Sequence, residues 1–147
     1  MNSLRATLSK MQHLLEELES VLSEELSQLK RPQVNPVSLQ MLSDSKSRLL
    51  SAINFYDEQR KTEENLAGII APYPHHAPLR ASWSKIVAIV AVTKKLNLSV
   101  YPLIEIHMQK AASLKNMVNK AGSGTSLYNA HGKSQDQDTG KAYNITI

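Results

Sequence analysis

The chain has no cysteine among its 147 residues. This excludes a disulfide framework, thiolate metal sites and thiol redox chemistry, and it fits the cytosol. Glycine is scarce, and four of the five (Gly122, Gly124, Gly132 and Gly140) fall near the C-terminus, so most turn chemistry is missing from the body. Aromatic residues make up only 5%, with a single Trp and a single Phe. A core of Leu, Ile, Val, Met and Ala suits helices better than a sandwich or barrel. The longest apolar run, Ile86 to Val92, is far shorter than the ~20 residues a bilayer span requires. The opening MNSLRATLSKMQ lacks the apolar stretch of a signal peptide, so export by that route is not expected.

Acid is also scarce in the second half. Residues 1–79 carry 8 Lys/Arg and 10 Asp/Glu, whereas residues 80–147 carry 9 and 3. A basic half could attract nucleic acid or an acidic protein face. The lysines are scattered, without the interleaved aromatics of a nucleic-acid surface, so no nucleic acid is expected.

Periodicity is the main thing present. Leu4, Leu8, Met11, Leu15, Leu18 and Leu22 step 4-3-4-3-4, a heptad seam with Ser3 as a candidate N-cap. Glu25 takes the next place, and Leu26 and Leu29 continue one residue later, which reads as a stutter. The glutamates of this helix are expected to be mostly solvated. Pro32 and Pro36 end it. A second helix starts near Val37 and runs to about Ala67, with a seam of Leu39, Leu42, Leu49, Ile53 and Tyr56 interrupted by Lys46 and Arg60. Gly68 is the expected stop. The loop GIIAPYPHHAPL is stiffened by three prolines. Its His75-His76 pair lacks a third ligand at suitable spacing, so no metal is expected. A third helix, from about Arg80 with Ser82 as candidate cap to Lys120, carries Trp83, Ile86, Val90, Leu96, Val100, Ile104, Met108, Leu114 and Val118 at mixed spacing. Pro102 predicts a kink or break near Asn97–Pro102.

The fold expected is all-α: an antiparallel coiled-coil hairpin, a long kinked third helix and a disordered tail, with a body at 1–121 and a tail at 122–147. A heptad helix pairs within a chain or between chains, so monomer and homodimer stay open. Leu103, Ile104, Ile106, Met108, Leu114, Met117 and Val118 are too many for one narrow seam. They fill a core or a dimer interface, or they form a surface for a partner helix. No catalytic motif is present: no thiol nucleophile, no glycine-rich phosphate loop and no paired acid and base. Neither an enzyme nor a cofactor is expected.

Beyond the periodicity, the chain resembles the FlgN family of flagellar type III export chaperones. The helix LSKMQHLLEELESVLSEELSQL resembles that family's opening helix. Lys46, Leu49-Leu50 and Glu58-Gln59-Arg60 match recurring positions of its second helix, and Trp83 with Ile86 opens the third. Leu96-Asn97 followed by Leu103-Ile104-Glu105 resembles the family's L-N-x5-L-L-E, and LYNAHGKSQ with a closing NITI resembles its L-Y-G-A-x-G-Q ending. Asn129 stands where the family has Gly, and Pro102 where relatives commonly lack proline. The resemblance implies a cytoplasmic chaperone that binds the C-terminal helical segments of the hook–filament junction proteins FlgK and FlgL and delivers them to the export gate protein FlhA. Carried over by position, it makes Leu103, Ile104, Met108, Leu114, Met117 and Val118 the substrate surface. It makes Tyr128, with Leu127, the export-gate anchor. Besides this reading the sequence leaves two others: a basic helical nucleic-acid binder and a purely structural coiled coil.

Overall fold

A computed structural model describes residues 2–121. The expected tail and its Leu127 and Tyr128 lie outside the described residues. Three helices make up the body: α1 (Asn2–Leu29), α2 (Pro36–Ala67) and α3 (Ala77–Lys120). No strand occurs among the described residues.

The helix boundaries follow from local chemistry. Neither Ser3 nor Ser82 is a cap. Both lie inside their helices. The cap of α2 is Asn35, whose side chain accepts from the N–H groups of Val37 and Ser38 at 3.1 and 3.2 Å, with Pro36 as the first helical residue. Helix α3 likewise begins earlier than expected, with Pro78 in its first turn, where a missing N–H costs nothing. Gly68 closes α2 as expected. It adopts a left-handed φ of 69°, and its N–H and that of Ile69 both reach the Glu64 carbonyl.

Helix α1 lies between the other two: α2 runs antiparallel to it, and α3 packs on it in the parallel sense. At one end, Thr7 of α1 donates to Glu63 of α2 at 2.5 Å. At the other, His107 of α3 lies 2.8 Å from the Leu29 carbonyl that ends α1. The core is the heptad seam of α1 (Leu4, Leu8, Met11, Leu15, Leu18 and Leu22) packed against Ile53, Leu79, Trp83, Ile86 and Tyr73.

The stutter inferred from Leu26 does not occur. Glu25 is buried and Leu26 only half-buried, so the seam steps on through Glu25 to Leu29 without a phase change. Glu25 is tolerated there because Lys46, the interruption in the α2 seam, donates to its carboxylate at 3.1 Å. A charge left alone at such a site would be costly, and the pair removes that cost. Helix α3 also keeps a regular seam, through Leu79, Trp83, Ile86, Val90, Thr93, Asn97, Val100 and Ile104. Its spacing looked mixed because Thr93 and Asn97 are polar, yet both are buried.

Pro102 does not break α3, which is helical throughout from Ala77 to Lys120. The proline is exposed, on the side of the helix away from the seam. The carbonyl it deprives of a donor belongs to Leu98, itself 65% exposed, where water can serve.

Candidate functional site

The two ends of the bundle differ. The end where α2 meets α3 is locked by polar contacts. Arg60, the second interruption in the α2 seam, bonds Asp57 at 2.9 Å and Glu64 at 3.0 Å, and its guanidinium lies 4.6 Å from the centre of the Trp83 ring. Tyr73 is fully buried, with φ 59°. Its hydroxyl donates to Glu64 at 2.5 Å, and its ring meets Trp83 edge-on. Burial and the bond to Glu64 push the Tyr73 phenol above its ordinary range, so it stays a donor at neutral pH. Burial alone would lower the Arg60 pKa, but Asp57, Tyr73 and Glu64 together raise it. The Ala71 N–H also donates to Glu64, so one carboxylate ties the proline-rich loop to α2. This end is consumed by its own contacts. Neither His75 nor His76 belongs to a ligand cluster, and no group of three His, Cys, Asp or Glu side chains able to hold a metal occurs among the described residues.

The opposite end is open. Helix α1 stops at Leu29, while α3 continues past His107 to Lys120, an overhang of about 20 Å at 1.5 Å per residue. His107 caps α1: its Nε2–H donates to the Leu29 carbonyl, one of the acceptors a helix end leaves without an intrahelical partner. Beside this contact lies a groove of about 210 Å³, lined by Leu29, Leu39, Ile104, His107, Met108 and Ala111 together with Glu25, which is paired with Lys46.

The six residues expected to bind substrate all lie on this part of α3. Leu103 and Ile104 are half-buried where the helix leaves α1. Met108, Leu114, Met117 and Val118 are exposed. Helical spacing sorts them into two adjoining stripes. Ile104, Met108, Ala111 and Val118 extend the α3 seam beyond its partner, and Leu103, Ile106, Leu114 and Met117 run beside it. Helix α1 would cover the first stripe if it were longer. Sequence reasoning found the apolar members of this face but missed the lysines within it, Lys110 and Lys115, and the contact of His107 with Leu29. The lysines were legible from spacing alone. The contact was not, because it joins residues far apart in the chain.

Other apolar side chains are also exposed: Val37, Met41 and Phe55 on the outer side of α2, and Leu66 and Ile70 near the α2–α3 loop. They are spread over separate positions, whereas on the α3 overhang Ile106, Met108, Leu114, Met117 and Val118 are exposed within about three turns of one helix. By length and composition α3 could also cross a bilayer. In the fold, however, Trp83, Ile86 and Val100 of this helix are buried in the seam against α1.

The family model described as FlgN protein matches residues 1–136. A flagella synthesis protein FlgN of Yersinia enterocolitica is 27% identical over 129 residues, covering 88% of this chain and 87% of the relative. The protein of the same name from Escherichia coli K12 is 24% identical over 140 residues, covering 95% and 96% of the two chains. That of Salmonella typhimurium is 34% identical over a shorter span, 44% of this chain and 46% of its own. No solved structure matches.

Proposed function

The chain belongs to the FlgN family, and from that premise we propose that it is a cytoplasmic export chaperone of flagellum assembly. In this reading it holds the C-terminal helical segments of the hook–filament junction proteins FlgK and FlgL and passes them to the export gate protein FlhA. The names of its relatives, flagella synthesis proteins, support the setting. The observation that carries the reading is the α3 overhang, whose apolar arc outlasts its partner helix, with Lys110 and Lys115 set within it.

The physical logic is direct. Export substrates wait unfolded and expose amphipathic segments that would otherwise associate with one another. Such a segment, coiled into a helix, can lie along Leu103, Ile104, Met108, Leu114, Met117 and Val118 and take the place that α1 leaves vacant. Methionines at two of these positions adapt to more than one substrate sequence. Ordering the segment on binding lowers net affinity, which favours release at the gate. Tyr128, with Leu127, serves as the gate anchor, because a tyrosine buries a large area at low entropy cost and keeps a polar tip. Catalysis has no part in this activity.

The test is binding of a FlgK or FlgL C-terminal segment to the full chain and to Leu114→Asp/Met117→Asp. Both positions are exposed, so the double variant should keep its melting temperature and lose binding. Undiminished binding would remove α3 as the surface. Tyr128→Ala should retain the segment and fail in transfer to FlhA. Release of the segment by that variant would contradict the anchor role.

A further inference from the structure

Helix α3 carries two heptad stripes. The first is its seam against α1, through Val90, Thr93, Asn97, Val100 and Ile104. The second runs one position earlier at each of these steps and then on to Ile106: Ile89, Val92, Leu96, Ser99, Leu103 and Ile106, spaced 3-4-3-4-3. Lys110, Leu114 and Met117 continue it along the overhang. It is covered only in part. Ile89, Leu96 and Leu103 are half-buried, while Val92 and Ile106 are 43% and 46% exposed. Its polar member before the overhang, Ser99, donates its hydroxyl back to the Lys95 carbonyl at 3.0 Å, so that donor is already used within the helix. The stripe borders a groove between α3 and α1. His107, one helical turn beyond Leu103, reaches the Leu29 carbonyl of α1, whereas Trp83, on the other flank of the seam, lies against Arg60 of α2. On α1, Glu17 and Val21 share a cavity with Ser45, Arg48 and Leu49 of α2. The flank of α1 left for α3 is therefore that of Gln12, Glu19 and Leu26, each half-buried. The groove has an apolar wall on α3 and a largely polar wall on α1.

We infer that the site does not end where α1 ends: the helix held on the overhang continues back along this groove, and its own apolar residues repeat in heptads. From Ile89 to Met117 the stripe is about 42 Å long at 1.5 Å per residue, or about four heptads, roughly twice the overhang. This rests on the reading above and sets the length and period of its partner segment. The period selects the occupant. A repeat kept at seven residues stays in line only with a helix that supercoils around it, and an extended segment would need every second position instead. The polar wall sets the partner's flank: an amphipathic helix passes Gln12 and Glu19 with polar side chains and lays its apolar stripe on α3.

The experiment uses the full chain and two synthetic helical peptides with Leu and Ala in a 3-4 repeat, one of about four heptads and one of about two. A third peptide has the composition of the long one, with its apolar residues spread around the helix. Calorimetry compares the wild type, Val92→Asp and Leu114→Asp/Met117→Asp. All three positions are exposed, so melting temperatures should not change. The long peptide should bind the wild type and lose roughly ten- to a hundredfold in affinity in each variant, the worth of burying an aliphatic side chain. The short peptide spans half the stripe and should respond to one variant and not the other. No binding of the long peptide overturns the inference, as does equal affinity for the peptide with scattered apolar residues. A long peptide weakened only in Leu114→Asp/Met117→Asp overturns the inference and leaves the overhang standing. One weakened only in Val92→Asp overturns it by removing the overhang. A short peptide weakened by both variants shows that they act through the fold, and overturns it too. Sedimentation in which Val92→Asp splits a dimer, with long-peptide affinity unchanged, gives the stripe to a second copy of the chain and overturns it as well.

Discussion

Replacing Lys46 with methionine strands the Glu25 carboxylate. Both side chains are over 90% buried, with the ammonium 3.1 Å from Glu25 Oε1 on a seam otherwise lined by leucines and Met11. Removing one partner of such a pair costs about 3–5 kcal/mol, because the remaining charge is buried without compensation. That is a large part of the ~5–15 kcal/mol by which a domain is stable. With a urea slope of about 2 kcal/mol per M, the unfolding midpoint should fall by roughly 1.5–2.5 M. Glu25→Leu/Lys46→Met removes both charges and extends the leucine seam from Leu22 to Leu29. It should be near wild type or about 1–4 kcal/mol more stable. Urea titration followed by far-UV circular dichroism, completed as a double-mutant cycle, measures all four corners. Two results would refute the reasoning: a single-variant cost below about 1 kcal/mol, the range of exposed pairs, or a double variant as unstable as the single one.

Gly68→Ala should cost about 1–2 kcal/mol. The added Cβ meets nothing within 4 Å, so the penalty is that of the left-handed φ of 69° alone. A change below a few tenths of a kcal/mol in the same titration would contradict this. Burial alone would raise the Glu63 pKa, but hydrogen bonds from Ser3, Thr7 and Gln59 hold it below its usual 4.5. Its contribution is therefore complete above pH 4.5 and is lost as pH falls through the lower folded value. Glu63→Gln should flatten the stability profile on that acid side, and an unchanged slope there would show that the Thr7 contact contributes nothing.

The all-α order, the three helices and the Gly68 stop were readable from periodicity and turn chemistry. What misled the reading was polarity on the seams. Glu25 reads as a phase break because a glutamate is normally solvated. Lys46, which makes it tolerable, lies on another helix, and no local pattern links the two. Thr93 and Asn97 hid the regular step of α3 in the same way. Arg60 looked like a gap in the seam, yet it is the centre of the Asp57–Glu64–Tyr73–Trp83 lock. The Ser82 cap failed because Pro78, four residues earlier, is the stronger start signal for α3. The candidate surface was legible as an excess of apolar residues on the second half of α3. Its exposure was not, because it depends on where α1 ends relative to His107, a tertiary fact.

That overhang is the centre of the functional account, and amide hydrogen exchange tests it most directly. The full chain is compared alone and saturated with a FlgK or FlgL C-terminal segment. New protection should fall on residues 103–120 of α3 and at the Leu29 end of α1, with α2 unchanged around Met41 and Phe55. Protection confined to that outer face of α2, with α3 exchanging as in the free chain, would contradict it.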